Sequence, residues 1–259
     1  TLPVAMGQPF VLKPALGPVP DHPVRTLADV DRLAAEPDPE RYRHIRDLLH
    51  LVRAELDGAL PVLIFAGAPF TTAAYCINTG KDMAATRRFA AEQPRVWEAL
   101  LERLMTATVG FLKTLIREGA DAYQLFDSWA GMLDVEEYSR WAQPRHKAIF
   151  AAVNEAPRIL FVKECPYLDA MASSGADVVS LGVRHDLATA RRDYPQLVFQ
   201  GNVDEELLRT GTPEQVTAAT KACVAAGCGR RHIINLSHGV DRETPVANFE
   251  AYIRAVQGR

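Results

Sequence analysis

Gly119-Ala120-Asp121-Ala122-Tyr123-Gln124-Leu125-Phe126-Asp127-Ser128-Trp129-Ala130-Gly131 is the stretch on which the fold turns. A glycine closes a preceding helical pattern, a largely apolar run follows on both parities, and the run ends in aspartate, serine and glycine, which are loop residues. Apolarity on both parities marks a strand covered on both faces, as in parallel sheets. The stretch Gly175-Ala176-Asp177-Val178-Val179-Ser180-Leu181-Gly182 has the same form, so the unit repeats.

Working outward, six strand-like runs appear: Val62 to Phe65, Ala122 to Phe126, Arg158 to Val162, Asp177 to Leu181, Leu197 to Gln200 and His232 to Leu236. Their spacing is too wide for hairpins, and amphipathic helices fill the intervals. Pro94 suits a first helical position, Leu100, Leu101, Leu104, Phe111, Leu112 and Leu115 recur at helical spacing, and Gly119 fits the stop. Asp134 with Glu137, and Thr212-Pro213 with Gln215, predict capped N-termini. Asp29 to Asp57 reads as helical, broken near Pro37 and Pro39 and stopped at Gly58. Alternating βα units with no Gly-x-Gly-x-x-Gly after the first strand predict an α/β fold of the (β/α)₈ TIM-barrel type, as a single domain over 1–259. A complete barrel needs two more strands, and Thr1 to Arg25, broken by Pro3, Pro9, Pro14, Pro18, Pro20 and Pro23, does not read as their source.

Composition narrows the function classes. A chain of 259 residues, 48% hydrophobic, can bury a sizeable core. A formal net charge of -3, with the arginine pairs scattered, predicts no nucleic-acid partner. No segment approaches the uninterrupted apolar length of a membrane span, and no signal-type run is read at the start, so a cytoplasmic location is expected. Cys76, Cys165, Cys223 and Cys228 show no metal-type pairing and are expected to be reduced, buried thiols.

In a barrel the residues that follow the strands converge on one face. Here these are Gly67, Ala68, Phe70, Tyr75, Asp127, Ser128, Lys163, Glu164, Arg184, Asn202, Asp204 and His238. Gly67 permits close backbone approach, and Phe65 and Phe126 offer flat walls for an aromatic or macrocyclic ligand. Tyr75 and Ser128 are uncharged hydrogen-bonding groups, and His238 holds a carboxylate when protonated or accepts an N–H when neutral. Each has a plainer reading: the phenylalanines as core, Ser128, Asp127 and Asp204 as loop or cap groups, Lys163 with Glu164 as an ion pair. As a set they predict a pocket for a large polyfunctional organic acid.

The segments LPVAMG (2–7), VLIFAGAPFTTAAY (62–75), GADAYQLFDSWAG (119–131), LFVKE (160–164), GADVVSLGVRHDL (175–187), FQGNVDEELL (199–208) and HIINLSHGVDRETPVANF (232–249) resemble, in the same order, the uroporphyrinogen decarboxylase family. The resemblance implies a (β/α)₈ barrel, usually a homodimer, with no cofactor and no metal. The implied reaction removes carbon dioxide from the acetate arms of uroporphyrinogen III, giving coproporphyrinogen III in haem biosynthesis. It further implies that Tyr75, Ser128 and His238 bind substrate, with Phe65, Gly67 and Phe126 lining the cleft. Two departures are mild: Thr72 stands where an aliphatic residue is usual, and Ser237 replaces the glycine before the histidine.

The family's arginine-rich RQAGRY segment and its FSD strand, whose aspartate faces the pyrrole N–H groups, would align upstream of Thr1. The catalytic aspartate is therefore not assigned in this sequence, and Asp127 is the first candidate for a substitute. Two alternatives stand beside the decarboxylase: a non-catalytic tetrapyrrole-binding or partner-completed barrel, and a related zinc-dependent corrinoid or thiol methyltransferase. The zinc relatives carry His-x-Cys where this chain has Lys163-Glu164-Cys165, which counts against the second.

Overall fold

A computed structural model describes residues 2–14, 17–78 and 80–258. Its centre is a parallel sheet of six strands in sequential order, β3 (Leu63–Gly67), β4 (Ala122–Asp127), β5 (Arg158–Val162), β6 (Val178–Ser180), β7 (Val198–Gln200) and β8 (His232–Ile233). These are the six runs expected, each within a few residues, and a bridge between Val203 and Leu236 extends the last pairing. The sheet curls as in a TIM barrel but does not close, so β3 and β8 are its edges. The Pro-rich start forms an antiparallel hairpin of its own, β1 (Phe10–Lys13) with β2 (Gly17–Pro20), and does not enter the barrel sheet. Proline is tolerated there because a two-stranded ribbon leaves each strand one unpaired side.

Helix boundaries follow the sequence signals. Residues Leu27–Asp31 carry a Thr26/Asp29 capping box, and Arg43–Leu56 ends at Asp57 and Gly58, both at positive φ (43° and 75°). Pro94–Arg117 buries Leu100, Leu101, Leu104 and Leu112 completely, each contributing about 1.5–3 kcal/mol of transfer free energy. The Asp134 and Thr212 caps both make the reciprocal bonds of a capping box. The larger core joins this helix to β4, β5 and the helix Pro69–Ile77, and a smaller one gathers Val203, Leu208, Val216, Leu236 and Tyr252 near the chain's end.

The edge at β3 has a consequence for exposure. Leu63 and Phe65 face the barrel interior but stand 46% and 68% exposed, beside exposed Leu48. Together with Leu49, Phe111 and Leu115 they border an apolar trough of about 460 Å³. All four cysteines are free, and the expectation that they are buried fails at Cys228, which is exposed at a turn with φ of 51°.

Candidate functional site

Register defines the barrel interior. Parallel partners share a face, so the pairs Phe65↔Gln124, Gly67↔Phe126, Phe126↔Phe161, Phe161↔Ser180 and Ser180↔Gln200 set one continuous inner surface. Gln200 Nε2 donates to Gln124 Oε1 at 3.0 Å and approaches Ser180 Oγ at 3.4 Å. This buried polar rung spans the interior, and above it Phe126 and Phe161 pack at 5.1 Å between ring centres. The rung escaped the sequence reading because each member is a single polar residue inside an otherwise apolar run.

Over the rung lies a cavity of about 310 Å³ bordered by Phe126, Phe161, Asn235 and Leu236, with Ser128 and His238 at its mouth. Ser128 follows β4 directly, and His238 arrives on the turn after the Val203–Leu236 bridge. The His238 ring stands 5.9 Å from that of Phe161. Burial, and then the Lys163 cation, hold the imidazole below its ordinary value of 6.5, against the opposite pull of Glu205 and Glu164. At neutral pH it is therefore mainly uncharged, with one ring nitrogen donating and the other free to accept an N–H or O–H group. Ser237 shows no positive φ; its N–H donates to the Val203 carbonyl at 2.8 Å and its hydroxyl to Glu205, so serine is accommodated without backbone strain in this turn.

Tyr75 sits on the helix Pro69–Ile77, half-buried, its ring 6.4 Å from that of Trp129, the residue after Ser128. It is a neighbour of the Ser128 loop and does not itself border the cavity. Phe65 and Gly67 border the β3 trough instead, with Phe65 edge-on to Phe126 at 5.6 Å. The reason is topological: β3 is a sheet edge, so its inner face opens sideways.

Several other strand-end residues prove structural. Phe70 is fully buried between Trp97 and Trp141. Asp204 caps the helix Glu205–Thr210, and Asn202 Nδ2 pins the loop after β6 through the carbonyls of Gly182 and His185. Glu164 pairs with Arg184 at 3.6 Å and receives the Val183 N–H, so the expected Lys163–Glu164 pair is replaced. Asp127 cannot substitute for a catalytic carboxylate: it is fully buried on the outer parity of β4. Oδ1 accepts from the Thr71 hydroxyl and N–H, and Oδ2 bonds His146 Nε2 at 2.8 Å. His146 was not singled out from the sequence; it lies inside a helix, with nothing local to mark it.

Among the described residues no group of three or more His, Cys, Asp or Glu is placed to hold a metal ion, and Cys165 is buried with its thiol pushed up to about 11. No helix among them is long and apolar enough to cross a membrane.

Comparison with known proteins places the chain in a family. The uroporphyrinogen decarboxylase (URO-D) family model matches residues 1–259. Uroporphyrinogen decarboxylase of Coxiella burnetii (strain Dugway 5J108-111) is 34% identical over 99% of this chain and 74% of its own length. That of Rhodococcus jostii (strain RHA1) is 41% identical over 93% of this chain and 70% of its own. Among solved structures, a methyltransferase from Methanosarcina mazei superposes with a TM-score of 0.79 at 16% identity, covering 99% of this chain and 77% of that one, a likeness of fold. With the segments that carry Ser128 and His238 lying inside the matched range, the chain belongs to the uroporphyrinogen decarboxylase family, a family of carboxy-lyases.

Proposed function

We propose that the cavity mouth binds the pyrrole ring system of uroporphyrinogen III and that the chain serves the removal of its acetate carboxyl groups, ending at coproporphyrinogen III. The observation that carries this is the meeting of Ser128 and His238 over an aromatic-walled, amide-floored barrel interior in a member of this family. Loss of carbon dioxide from a pyrrole acetate proceeds by protonation of the ring α-carbon, departure of the carboxyl carbon with its bonding pair left to the ring, protonation of the exocyclic methylene to a methyl group, and release of the added proton from the ring α-carbon, so that one proton is consumed for each carbon dioxide lost. The ring is its own electron sink, so the protein's task is orientation and charge stabilisation. In this reading Ser128 and Tyr75 hydrogen-bond side-chain carboxylates, and neutral His238 accepts a proton-bearing group of the ligand. Phe65, Phe126 and Gly67 offer flat or unobstructed surface toward the open side. The reading includes a cytoplasmic location and pairing with a second copy of the chain, which sedimentation would test.

A second reading is binding without efficient turnover, which differs in expecting ligand affinity with no product formed. Titration with coproporphyrin under reducing conditions, followed by an assay for coproporphyrinogen formation, separates the two. Tyr75→Phe and His238→Ala should each weaken ligand affinity by about 1–3 kcal/mol with little change in folding. Unchanged affinity in both variants assigns these residues to structure.

A further inference from the structure

The buried group around Asp127 lies outside the cavity, yet through Thr71 it joins the two elements that carry Tyr75 and Ser128. Thr71 begins this geometry. Its hydroxyl donates to Asp127 Oδ1 at 2.5 Å and, as acceptor, receives the backbone N–H of Trp129 at 3.0 Å. That N–H belongs to the peptide joining Ser128 to Trp129, so the Thr71 oxygen fixes the plane of the peptide on which the Ser128 side chain hangs. Thr71 is also one helical turn before Tyr75, and residues four apart share a face. A single hydroxyl therefore ties the helix bearing Tyr75 to the loop bearing Ser128.

Asp127 makes that hydroxyl directional. A free threonine hydroxyl rotates; one whose proton is held by a carboxylate presents its lone pairs in a fixed direction. The carboxylate is fixed in turn by His146 Nε2 at 2.8 Å, from the helix Gln143–Ala152, and by the Thr71 N–H at 3.2 Å. Asp127, His146 and Thr71 are all buried, the first two completely, and the Nδ1 of His146 has no hydrogen-bond partner among the described residues. Burying a carboxylate and an imidazole is expensive relative to packing apolar residues of the same volume, so the pair is not explained by stability alone. Ala68, three residues before Thr71, donates its N–H to the carbonyl of Phe126, one residue before Asp127, at 2.7 Å and closes the same junction.

We propose that Thr71, Asp127 and His146 are positioning residues that set the orientation of Ser128 relative to Tyr75 for ligand binding. The proposal rests on the functional reading above, because it takes the porphyrin as the ligand that senses the orientation. None of the three touches the ligand; they act through the Ser128–Trp129 peptide.

The test is a double-mutant cycle between Thr71→Val, which keeps shape and removes the oxygen, and Ser128→Ala, with coproporphyrin III as probe and Thr71→Ser as the conservative variant. In the wild-type background Thr71→Val should weaken coproporphyrin binding about tenfold, while Thr71→Ser stays within about twofold of wild type. In the Ser128→Ala background Thr71→Val should change affinity by less than about twofold, since the group it positions is gone. Amide exchange at Trp129 should accelerate in Thr71→Val and recover in Thr71→Ser, a readout that needs no ligand. Equal losses with and without Ser128 would mean a general structural effect and overturn the proposal, as would a Trp129 amide unaffected by Thr71→Val. If Thr71→Val does not fold, Thr71→Ser combined with Asp127→Asn carries the same cycle with the hydroxyl retained and its anchor weakened. Failure of the wild-type protein to bind coproporphyrin overturns the functional reading and the proposal with it, whereas wild-type binding with an undiminished Thr71→Val overturns the proposal alone.

Discussion

Gly131→Ala should be among the most damaging single-methyl additions in this protein. A Cβ at Gly131 would stand 1.9 Å from the Lys163 carbonyl oxygen and 3.2 Å from the Cys165 nitrogen, where ordinary contact begins at 3.4 Å. The loop after β4 or the end of β5 must retreat by about 1.5 Å, and both are backbone, which cannot swing aside as a side chain does. The β5 end is held, since Cys165 N–H reaches the Val162 carbonyl and Val162 is in register with Asp127. Overpacking of this kind costs about 3 kcal/mol, at the upper end of its usual range. Urea denaturation should show a lower midpoint with an unchanged slope, and coproporphyrin affinity should fall because the displaced loop carries Ser128. Gly110→Ala is the internal control: it lies in the helix Pro94–Arg117 with nothing within 4 Å of the added methyl, so it should hold or raise stability by about 0.5–1 kcal/mol. A Gly131→Ala midpoint equal to that of wild type would refute the close approach on which this rests.

His238 should titrate below 6.5 by NMR, and Lys163→Met should move its midpoint upward by removing a neighbouring cation. Because the folded imidazole binds fewer protons than the unfolded one, its contribution to stability is lost as pH falls from 6.5 through the folded midpoint, and His238→Gln should lack that slope; a midpoint at or above 6.5 refutes the assignment. Asp127→Ala strands the buried His146 ring and should cost about 3 kcal/mol in denaturation experiments, with a loss under about 1 kcal/mol counting against the buried pair. Thr212→Ala removes the side-chain acceptor for Gln215 N–H and should cost about 1 kcal/mol by the same measurement, with no effect on porphyrin binding.

The strands were legible because burial on both faces leaves a dense apolar signature, as in Tyr123-Gln124-Leu125-Phe126 and Ile159-Leu160-Phe161-Val162. Strand-end position marked Ser128 and His238 only as two among twelve residues on the barrel's working face, and the family resemblance singled them out; both border the one cavity over the rung. What stayed hidden depends on partners distant in the chain. Gln124 meets Gln200 across a sequence separation of 76, and Asp127 meets His146 across 19, and no local pattern encodes either meeting. The setting of Phe65 was hidden for a different reason: its inward parity is readable, but whether an inner face is enclosed depends on what pairs with the strand's far side. The β1–β2 hairpin was missed because Pro18 and Pro20 argue against a strand in any sheet with two neighbours, and this sheet has only one.

The amide rung between Gln124 and Gln200 also acts during folding. If β4 slid by one residue against its neighbours, Gln124 would turn outward onto the apolar helices and Tyr123 inward, costing Gln200 its Gln124 acceptor and the Tyr123 hydroxyl, now bonded to the Val153 carbonyl, its partner. Short parallel strands rich in valine, leucine and phenylalanine have little else to distinguish one alignment from the next. The rung supplies the distinction, rejecting misaligned sheets by the cost of dry, unbonded amides, so that the chain reaches one barrel alignment rather than several.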